Sequence, residues 1–331
     1  MAEIIPGINR FILPTPFSAP TYVNIYLIQE DNGYLLIDTG WNNKESFDSL
    51  KQHMAEAGAD FEDIRRIIIT HTHPDHYGLV YRLKQLCQAE LITSNEEKDA
   101  IEARYINLED YVSKLERMLN DNGTPPDELP EFVSATSAVM KVVTPVLPDR
   151  ILQEGETIHA GNFNLHVFQT PGHSPGHLCL YEPTQKFLFS GDHVLPNISP
   201  NIGLHLTAVE NPLGDYLDSL KLLRQLEVSL ALPGHEEPFT NLTERIDELI
   251  RHHETRNSEI LELLKTRPKT GYQIATEIQW LPNAAESSWQ RLDAINRRLA
   301  IPETLAHLEA MRNDGKVVKL SRDSIIYYQQ T

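Results

Sequence analysis

Hydrophobic and polar positions divide the chain into short apolar runs and longer amphipathic segments. Short runs rich in β-branched and aromatic residues predict strands at 8–13, 22–28, 34–37, 64–69, 90–93, 163–169, 177–182, 186–190 and 228–232. Apolar residues that recur every three or four positions predict helices at 44–57, 75–87, 127–141, 213–226 and 241–264. Strands that alternate with helices along most of the chain predict an α/β fold.

Residues 94–148 interrupt this alternation, because they contain no predicted strand. An apolar stripe predicts one helix of about seven turns, formed by Ile101, Tyr105, Leu108, Val112, Leu115 and Leu119. Ser94 and Glu97 have the spacing of a capping box at its start. We interpret 94–148 as a helical insertion. It would pack on the core, or on a second subunit in a homodimer, or it would roof the active site and shape substrate choice.

The last part of the chain has a different pattern. A connecting helix is predicted over 241–265. Beyond it, three short helices (271–279, 286–300 and 302–313) precede a hairpin formed by 316–320 and 325–329. Pro302 fits the first turn of the third helix. The predicted organisation is therefore a catalytic domain over 1–240, the connecting helix, and a small winged-helix-like domain over 266–331.

Candidate metal ligands cluster directly after the predicted strand at 64–69. His71, His73, Asp75 and His76 fall within six residues, and imidazole and carboxylate are the usual ligands of zinc and similar ions. His71 and His73 point the same way in extended backbone. Pro74 suits a helix start, which would offset Asp75 and His76 from the first pair. The spacing therefore suggests two metals, with further ligands expected at later strand ends.

Three isolated candidates satisfy that expectation, because each follows a predicted strand. They are His173 after 163–169, Asp192 after 186–190, and His235 after 228–232.

Charge and composition narrow the class of protein. The chain has 331 residues, is 40% hydrophobic and carries a net charge of −18. All of that charge lies in 1–240, whereas 241–331 is neutral. Nucleic-acid binding normally needs a basic surface, so the balance argues against a polyanionic substrate, although bound metal would make the site itself positive. We expect a small-molecule substrate.

Segments for membranes or secretion are not predicted. The longest apolar runs are shorter than the 18 residues of a membrane span. The first residues lack the basic and apolar regions of a signal peptide. Cys87 and Cys179 are far apart and are read as buried free thiols. These features predict a cytoplasmic protein without a membrane partner.

The ordered motifs resemble the metallo-β-lactamase fold superfamily. The resemblance rests on His71-x-His73-x-Asp75-His76, His173 in Thr-Pro-Gly-His, Asp192 in Ser-Gly-Asp and His235 in Pro-Gly-His. Asp38 in Leu-Ile-Asp-Thr-Gly matches the first motif of that superfamily. The resemblance covers about 8–240, and glyoxalase II is a relative by these motifs. The tail resembles the winged-helix domain of a subgroup of β-lactamase-like hydrolases.

The resemblance implies an αββα sandwich with the site at one edge. It implies that His71, His73 and His173 hold one divalent ion, that Asp75, His76 and His235 hold another, and that Asp192 bridges them. Asp38 would orient a ligand. Zinc is the expected ion, with iron or manganese as alternatives.

The implied reaction is hydrolysis by a hydroxide bound to both metals, with Asp75 as the catalytic residue that orients it or accepts its proton. The expected substrate is an ester or thioester of an acyl conjugate. One alternative is a single-strand-specific endoribonuclease, supported by basic tail residues, namely Arg291, Arg297, Arg298, Lys316 and Lys319. Another is a ligand-sensing DNA-binding protein. The segment 194–200 departs from the basic glutathione-binding segment of glyoxalase II.

Overall fold

A computed structural model describes residues 2–17, 20–206, 211–280 and 288–331. Its first sheet has seven strands that lie side by side in chain order. They are β1 (Ala2–Ile5), β2 (Ile8–Pro14), β3 (Tyr22–Glu30), β4 (Gly33–Ile37), β5 (Ile64–Ile68), β6 (Glu90–Ser94) and β7 (Arg150–Leu152). Strands β1–β4 pair antiparallel, and β4–β7 pair parallel. The carboxyl ends of β4, β5 and β6 therefore share one edge.

The second sheet has five strands in the order β12-β11-β10-β9-β8. They are β8 (Thr157–Ala160), β9 (Phe163–Gln169), β10 (Leu178–Glu182), β11 (Phe187–Gly191) and β12 (Leu230–Pro233). Strands β11 and β12 are parallel, and the other pairs are antiparallel. Strands β9, β11 and β12 consequently run in one direction and end at one edge.

Several helices of the described residues cover the outer faces of the stacked sheets, and others form a separate cluster. The helices are α1 (Lys44–Glu56), α2 (Pro74–Tyr77), α3 (Val80–Lys84), α4 (Asn95–Ile101), α5 (Leu108–Asp121), α6 (Leu129–Met140), α7 (Pro212–Leu223), α8 (Leu242–Leu264), α9 (Gly271–Glu277) and α10 (Ala294–Asn313). Apolar side chains of both sheets form one buried cluster between the sheets. Helices α1 and α3 pack on the first sheet, and α7 and α8 pack on the second. The predicted αββα sandwich is confirmed.

Several predicted boundaries were wrong. Strands β1, β7 and β8 were missed, and they are only three or four residues long. The helix predicted at 75–87 is two short helices, α2 and α3. Between them Gly78 lies so close to the carbonyl oxygens of Pro74 and Gly40 that an added Cβ would stand 2.3 and 2.8 Å from them. Tertiary packing therefore interrupts this helix.

The single seven-turn helix predicted in the insertion was also wrong. Helix α4 ends at Ile101, a π-helical segment spans Glu102–Ile106, and α5 begins at Leu108. The phenol of Tyr105, inside the π-helical segment, donates to the backbone oxygen of Thr72 at 2.5 Å. Periodicity cannot show such a contact, because Thr72 belongs to the loop after β5. π-helical turns of this kind are frequent at functional sites.

The C-terminal part differs from the prediction in one respect. The two helices predicted at 286–300 and 302–313 form the continuous α10, with Pro302 in its interior, and residues 286–287 lie outside the described part. Proline removes one intrahelical hydrogen bond, but the stretch 300–309 is buried and packing offsets that loss. The predicted hairpin is present as β13 (Val317–Arg322) and β14 (Ile325–Gln330). The winged-helix assignment and the three domain limits remain predictions.

The insertion and the C-terminal helices share one apolar core. Leu115 and Leu119 of α5 and Phe132 of α6 pack in the same cluster as Ile260 of α8 and Leu305 of α10. Neither the insertion nor the tail buries its apolar face alone. Helices α5 and α6 therefore pack on the C-terminal helices, a contact that the sequence did not predict. The homodimer and the roof over the active site stay predictions.

Two smaller expectations concern the membrane and the cysteines. Among the described residues, no helix is both long and apolar enough to cross a membrane. Cys87 and Cys179 are both buried and free, as predicted.

Candidate metal centre

The candidate ligands lie where strands of both sheets end. His71 follows β5, and His73 is the residue that precedes α2, with Pro74 at the first helical position. Asp75 and His76 occupy the next two positions of α2. His173 follows β9, Asp192 follows β11 and His235 follows β12. Backbone hydrogen bonds from Leu178 to Thr70 (2.9 Å) and from Asn24 to Gly234 (2.7 Å) tie the two edges together.

The structure brings all seven predicted ligands into one cluster. Three groups have donor atoms that all lie within 4.8 Å of one another: His71, His73 and His173; Asp75, His76 and His235; and His71, His76 and Asp192. Asp192 stands between the other two groups, since its Oδ2 lies 3.7 Å from His173 Nε2 and 3.2 Å from His235 Nε2. Asp75 Oδ2 lies 3.3 Å from His235 Nε2.

In three of these histidines, the outer ring nitrogen, which faces away from the other ligands, contacts another protein group. His76 Nδ1 lies 2.8 Å from Asp38 Oδ2, and Asp38 also accepts hydrogen bonds from Thr70 N and Thr70 Oγ1, each at 2.8 Å. His173 Nδ1 contacts the backbone oxygen of Asn201 at 2.9 Å, and His235 Nδ1 contacts that of Tyr22 at 2.6 Å. Such contacts fix the ring orientation and leave the opposite nitrogen free for a metal.

Asp38 adopts an unusual backbone conformation to make its contacts. Its φ is +61°, a region that residues other than glycine rarely visit. Strain of this kind persists only where the surroundings impose it, and it is concentrated at functional sites. The structure thus places Asp38 beside His76, where the superfamily resemblance implies a residue that orients a ligand.

Burial sets the protonation of the first group. Burial, followed by the neighbouring charges, lowers the pKa of His71 and His73 well below the usual histidine value, and burial also lowers that of His173. These imidazoles are therefore neutral, as metal ligands need to be.

The second group behaves differently because carboxylates face it. Burial acts to lower the pKa of His235, but Asp192 and then Asp75 raise it to about 10. Burial acts to raise the pKa of Asp192, but His235 and His76 hold it well below the usual value. Both carboxylates are ionised, with Asp192 buried and Asp75 largely enclosed. Enclosed negative charge of this kind favours a bound cation.

The donor set fits divalent metal ions. His173 Nε2 and Asp192 Oδ1 are buried atoms without a hydrogen-bond partner. His71 Nε2 and His73 Nδ1 lie only 3.0 Å apart, so their lone pairs point to one place. Five imidazoles and two carboxylates suit zinc, iron or manganese.

Two glycines permit this close packing. A Cβ at Gly234, beside His235, would lie 2.2 Å from Asp192 Oδ1 and 2.8 Å from His76 Cε1. A Cβ at Gly191, before Asp192, would lie 2.5 Å from His177 Nε2, and Gly191 also has a positive φ of 48°. The Gly-Asp and Gly-His pairs in the sequence are thus a steric requirement of the cluster.

Some residues around the cluster were not found from the sequence. Glu97 was read only as a helix cap, but its buried carboxylate joins the two ligand loops. It accepts hydrogen bonds from Thr72 N, Thr72 Oγ1, Ser174 Oγ and Gly176 N. Its position before an apolar helical stripe gave no sign of this, because Thr72 and Ser174 are remote in sequence.

The neighbouring histidines fill supporting positions. His177 Nε2 accepts a hydrogen bond from Asp192 N at 3.1 Å, so it holds the backbone of that carboxylate. His193 is buried against Tyr216, and burial lowers its pKa to about 3. His205 also lies near the cluster. Its Nε2 contacts the backbone oxygen of Gly172 at 3.1 Å, next to His173.

The stacked sheets and the seven converging side chains define a metal-dependent hydrolase of the metallo-β-lactamase fold. The chain belongs to the Metallo-beta-lactamase superfamily, whose family model matches residues 19–235. Members of this superfamily typically bind divalent metals, and the predicted hydrolase class is confirmed.

Similar proteins span most of the chain. A probable metallo-hydrolase of Bacillus subtilis, YqjP, is 26% identical over 321 residues, which are 96% of each chain. The human acyl-coenzyme A thioesterase MBLAC2 is 29% identical over 225 residues, covering 65% of this chain and 74% of that protein. The structure of the metallo-beta-lactamase family protein TTHA1429 from Thermus thermophilus has a TM-score of 0.85 and 32% identity, covering 99% of this chain and 100% of that one.

Proposed function

We propose that this chain is a dinuclear metal-dependent hydrolase that cleaves a thioester, or the corresponding ester, of a small acyl conjugate. The observation that carries the proposal is the convergence of seven side chains in two groups of three joined by Asp192. A single ion would leave part of this donor set unused.

The two groups divide the ligand roles in the way that the resemblance implies. His71, His73 and His173 would hold one ion, and Asp75, His76 and His235 the other. Asp192 would bridge them, because it lies against members of both groups. Divalent ions so held would lower the pKa of water toward neutrality and polarise a carbonyl group.

Asp75 is suited to proton transfer. Its carboxylate is partly exposed, whereas His76 and His235 are fully enclosed. Its pKa is lowered because His76 and His235 outweigh the opposite effect of burial, so it is ionised and can accept a proton. In the proposed reaction, water attacks the carbonyl carbon, Asp75 takes its proton, the C–S bond breaks, and the proton passes to the leaving thiolate.

The substrate class is supported by one similar protein and by the charges of the tail. MBLAC2, the named acyl-coenzyme A thioesterase, aligns with 65% of this chain. Three of the five basic residues that favoured nucleic acid are engaged within the chain. Lys316 pairs with Asp314 at 2.8 Å, Lys319 pairs with Glu309 at 3.1 Å, and Arg297 donates to two backbone oxygens. These intramolecular contacts argue against a surface in the tail that binds RNA or DNA.

The test is a parallel assay on metal-analysed protein. An N-acetylcysteamine thioester and a single-stranded RNA would be offered to the wild type, to His73→Ala and to His159→Ala. The last variant is a matched control, because His159 is an exposed residue of β8. We expect about two metal ions per chain, and thioester cleavage that His73→Ala abolishes and His159→Ala preserves.

Other outcomes would change the assignment. RNA cleavage with the same dependence on His73 would replace the thioesterase by a nuclease. Inactivity on both substrates with metal bound would refute the acyl substrate and leave the hydrolase class in place. One ion per chain at saturating metal would refute the dinuclear centre.

A further inference from the structure

Two arginines near the candidate metal centre have enclosed guanidinium atoms and no ionic partner among the described residues: Arg104, which is buried, and Arg298, which is partly buried. Arg104, in the π-helical segment of the insertion, is only 6% exposed. Its Nη1 and the Nε of Arg298 in α10 are enclosed and have no hydrogen-bond partner. Among the described residues, no carboxylate lies within ion-pair distance of either guanidinium. Unpaired buried charge is costly, and arginine does not lose its proton in proteins.

The insertion brings Arg104 to the centre. The adjacent Tyr105 is bonded to Thr72, which lies between His71 and His73. Burial is the main cause of the low pKa of His73, and the charges of His173 and Arg104 lower this pKa further. Burial and then the charge of Arg104 lower the pKa of His205 to about 3. The guanidinium of Arg104 therefore acts on residues at the edge of the first ligand group.

Helix α10 brings Arg298 to the same place. The backbone oxygen of Pro302, about one turn after Arg298, accepts from Leu204 N at 2.9 Å. The next residue, Glu303, accepts from Asn201 Nδ2, and Asn201 holds His173. Tyr111 of α5 lies close enough to both arginines to act on the pKa of each. The two arginines therefore converge from different elements.

Glu97, the carboxylate whose charge acts on Arg104, forms no ion pair with it. Glu97 is close to Arg104 but already accepts four hydrogen bonds from the ligand loops. The cluster itself contains two carboxylates, which carry less charge than two divalent ions. With metal bound, the side of the site near Arg104 and Arg298 would be strongly positive, although the net charge of the chain is −18. Positive charge concentrated in this way is complementary to a compact anion.

We propose that Arg104 and Arg298 bind an anionic oxygen group of the substrate, a carboxylate or a phosphate, beside the scissile bond. Guanidinium groups suit both anions, because their N–H groups match pairs of oxygen atoms. The inference rests on the proposed function where it takes a thioester as substrate, but the anion site can be tested separately.

The test compares two thioesters of equal chain length. Glutaryl-N-acetylcysteamine ends in a carboxylate, and pentanoyl-N-acetylcysteamine ends in a methyl group. We expect the wild type to prefer the glutaryl ester. Arg104→Gln and Arg298→Gln should each raise KM for that ester about 10- to 100-fold, the loss expected for a charged hydrogen bond, with kcat and the pentanoyl reaction little changed.

Control variants separate this role from a structural one. Arg224→Gln removes an exposed arginine that pairs with Asp247, and it should leave the preference intact. Arg104→Lys and Arg298→Lys retain charge and should recover part of the affinity. Circular dichroism and Tm should show folded variants without loss of stability, since removing an unpaired buried charge does not destabilise. A marked fall in Tm for both Gln variants with an unchanged ester preference would indicate structural arginines and overturn the proposal.

Calorimetric titration of the metal-loaded protein with glutarate and with inorganic phosphate separates the two hypotheses and the two anions. If neither ester is hydrolysed, the thioesterase proposal fails, but anion binding that the Gln variants lose still supports this site. The tighter of the two ligands identifies the anion. Equal rates on both esters together with anion binding that the Gln variants leave unchanged would refute the inference.

Discussion

The two sides of this site are built in opposite ways. On the metal side, loops at the strand ends hold the candidate ligands, and protein groups fix the outer nitrogens of His76, His173 and His235. On the other side, the insertion and α10 present buried guanidinium atoms without partners. Among the seven candidate ligands, the buried side-chain atoms without a hydrogen-bond partner are His173 Nε2 and Asp192 Oδ1. The second side has unpaired positive charge, and in our proposal its partner is the substrate. Under that proposal the fold provides the hydrolytic centre and the added helices select what is hydrolysed.

The largest effect is expected from replacing Asp192, the carboxylate that lies between the two ligand groups. Asp192→Asn should reduce turnover on the order of 1,000-fold, since even residues that only orient ligands cost 10- to 100-fold. Turnover and metal content would be measured together, with Asp218→Asn as an exposed control on α7. Normal turnover with two ions bound would show that Asp192 does not join the two groups.

A second prediction concerns a carboxyl group on the helical side. Burial raises the pKa of Glu303 from 4.5 to about 7, so the folded state binds this proton more tightly than the unfolded state. The resulting stability is complete below about pH 4.5 and is lost as pH rises through 7. Glu303→Gln stays neutral and can still accept from Asn201. Its advantage in unfolding free energy should grow to on the order of 3 kcal/mol by pH 8.

Urea denaturation of both proteins at pH 5, 6, 7 and 8 measures this difference. Parallel stability curves for the wild type and Glu303→Gln would mean that Glu303 titrates normally.

A third prediction tests how far the metal side depends on its outer contacts. Asp38→Asn should weaken metal binding about 10- to 100-fold, because the hydrogen bond to His76 loses its charge. Asparagine tolerates the positive φ of residue 38, so the backbone should be retained. Competition with a chelator gives the affinity. Unchanged affinity, equal to that of the exposed control Asp48→Asn, would remove Asp38 from the site.

The smallest effect concerns the link between the two sides. Tyr105→Phe removes the hydrogen bond to Thr72 and should lower the unfolding free energy by about 1 kcal/mol. It should also loosen the position of Arg104 and so weaken the preference for an anionic ester. Tyr81→Phe, on an exposed side chain, serves as the control. A loss of stability without any change in preference would show that the two sides are independent.

The sequence predicted one side of the site far better than the other, for a physical reason. The order of strands and the residues at their ends are local features, so His71, His173, Asp192 and His235 could be found from apolar runs and spacing. Glu97 could not, because it acts through contacts with remote loops.

The position of Arg104 and Arg298 near the site could not be predicted from the sequence for the same reason. Arg298 was even read as a basic surface residue, whereas its Nε is enclosed. Pro302 misled the prediction of α10 because the local rule for proline was outweighed by burial of the surrounding helix. Contacts between segments distant in the chain decide each of these cases.

The common core of α5, α6, α8 and α10 constrains how this enzyme can diversify. A chimaera that exchanged only the insertion with a relative would leave half of an apolar interface mismatched. The same holds for an exchange of only the tail. We therefore expect the insertion and the tail to be inherited together, although about a hundred residues of the catalytic domain separate them. A chimaera designed to alter substrate choice would have to exchange both segments.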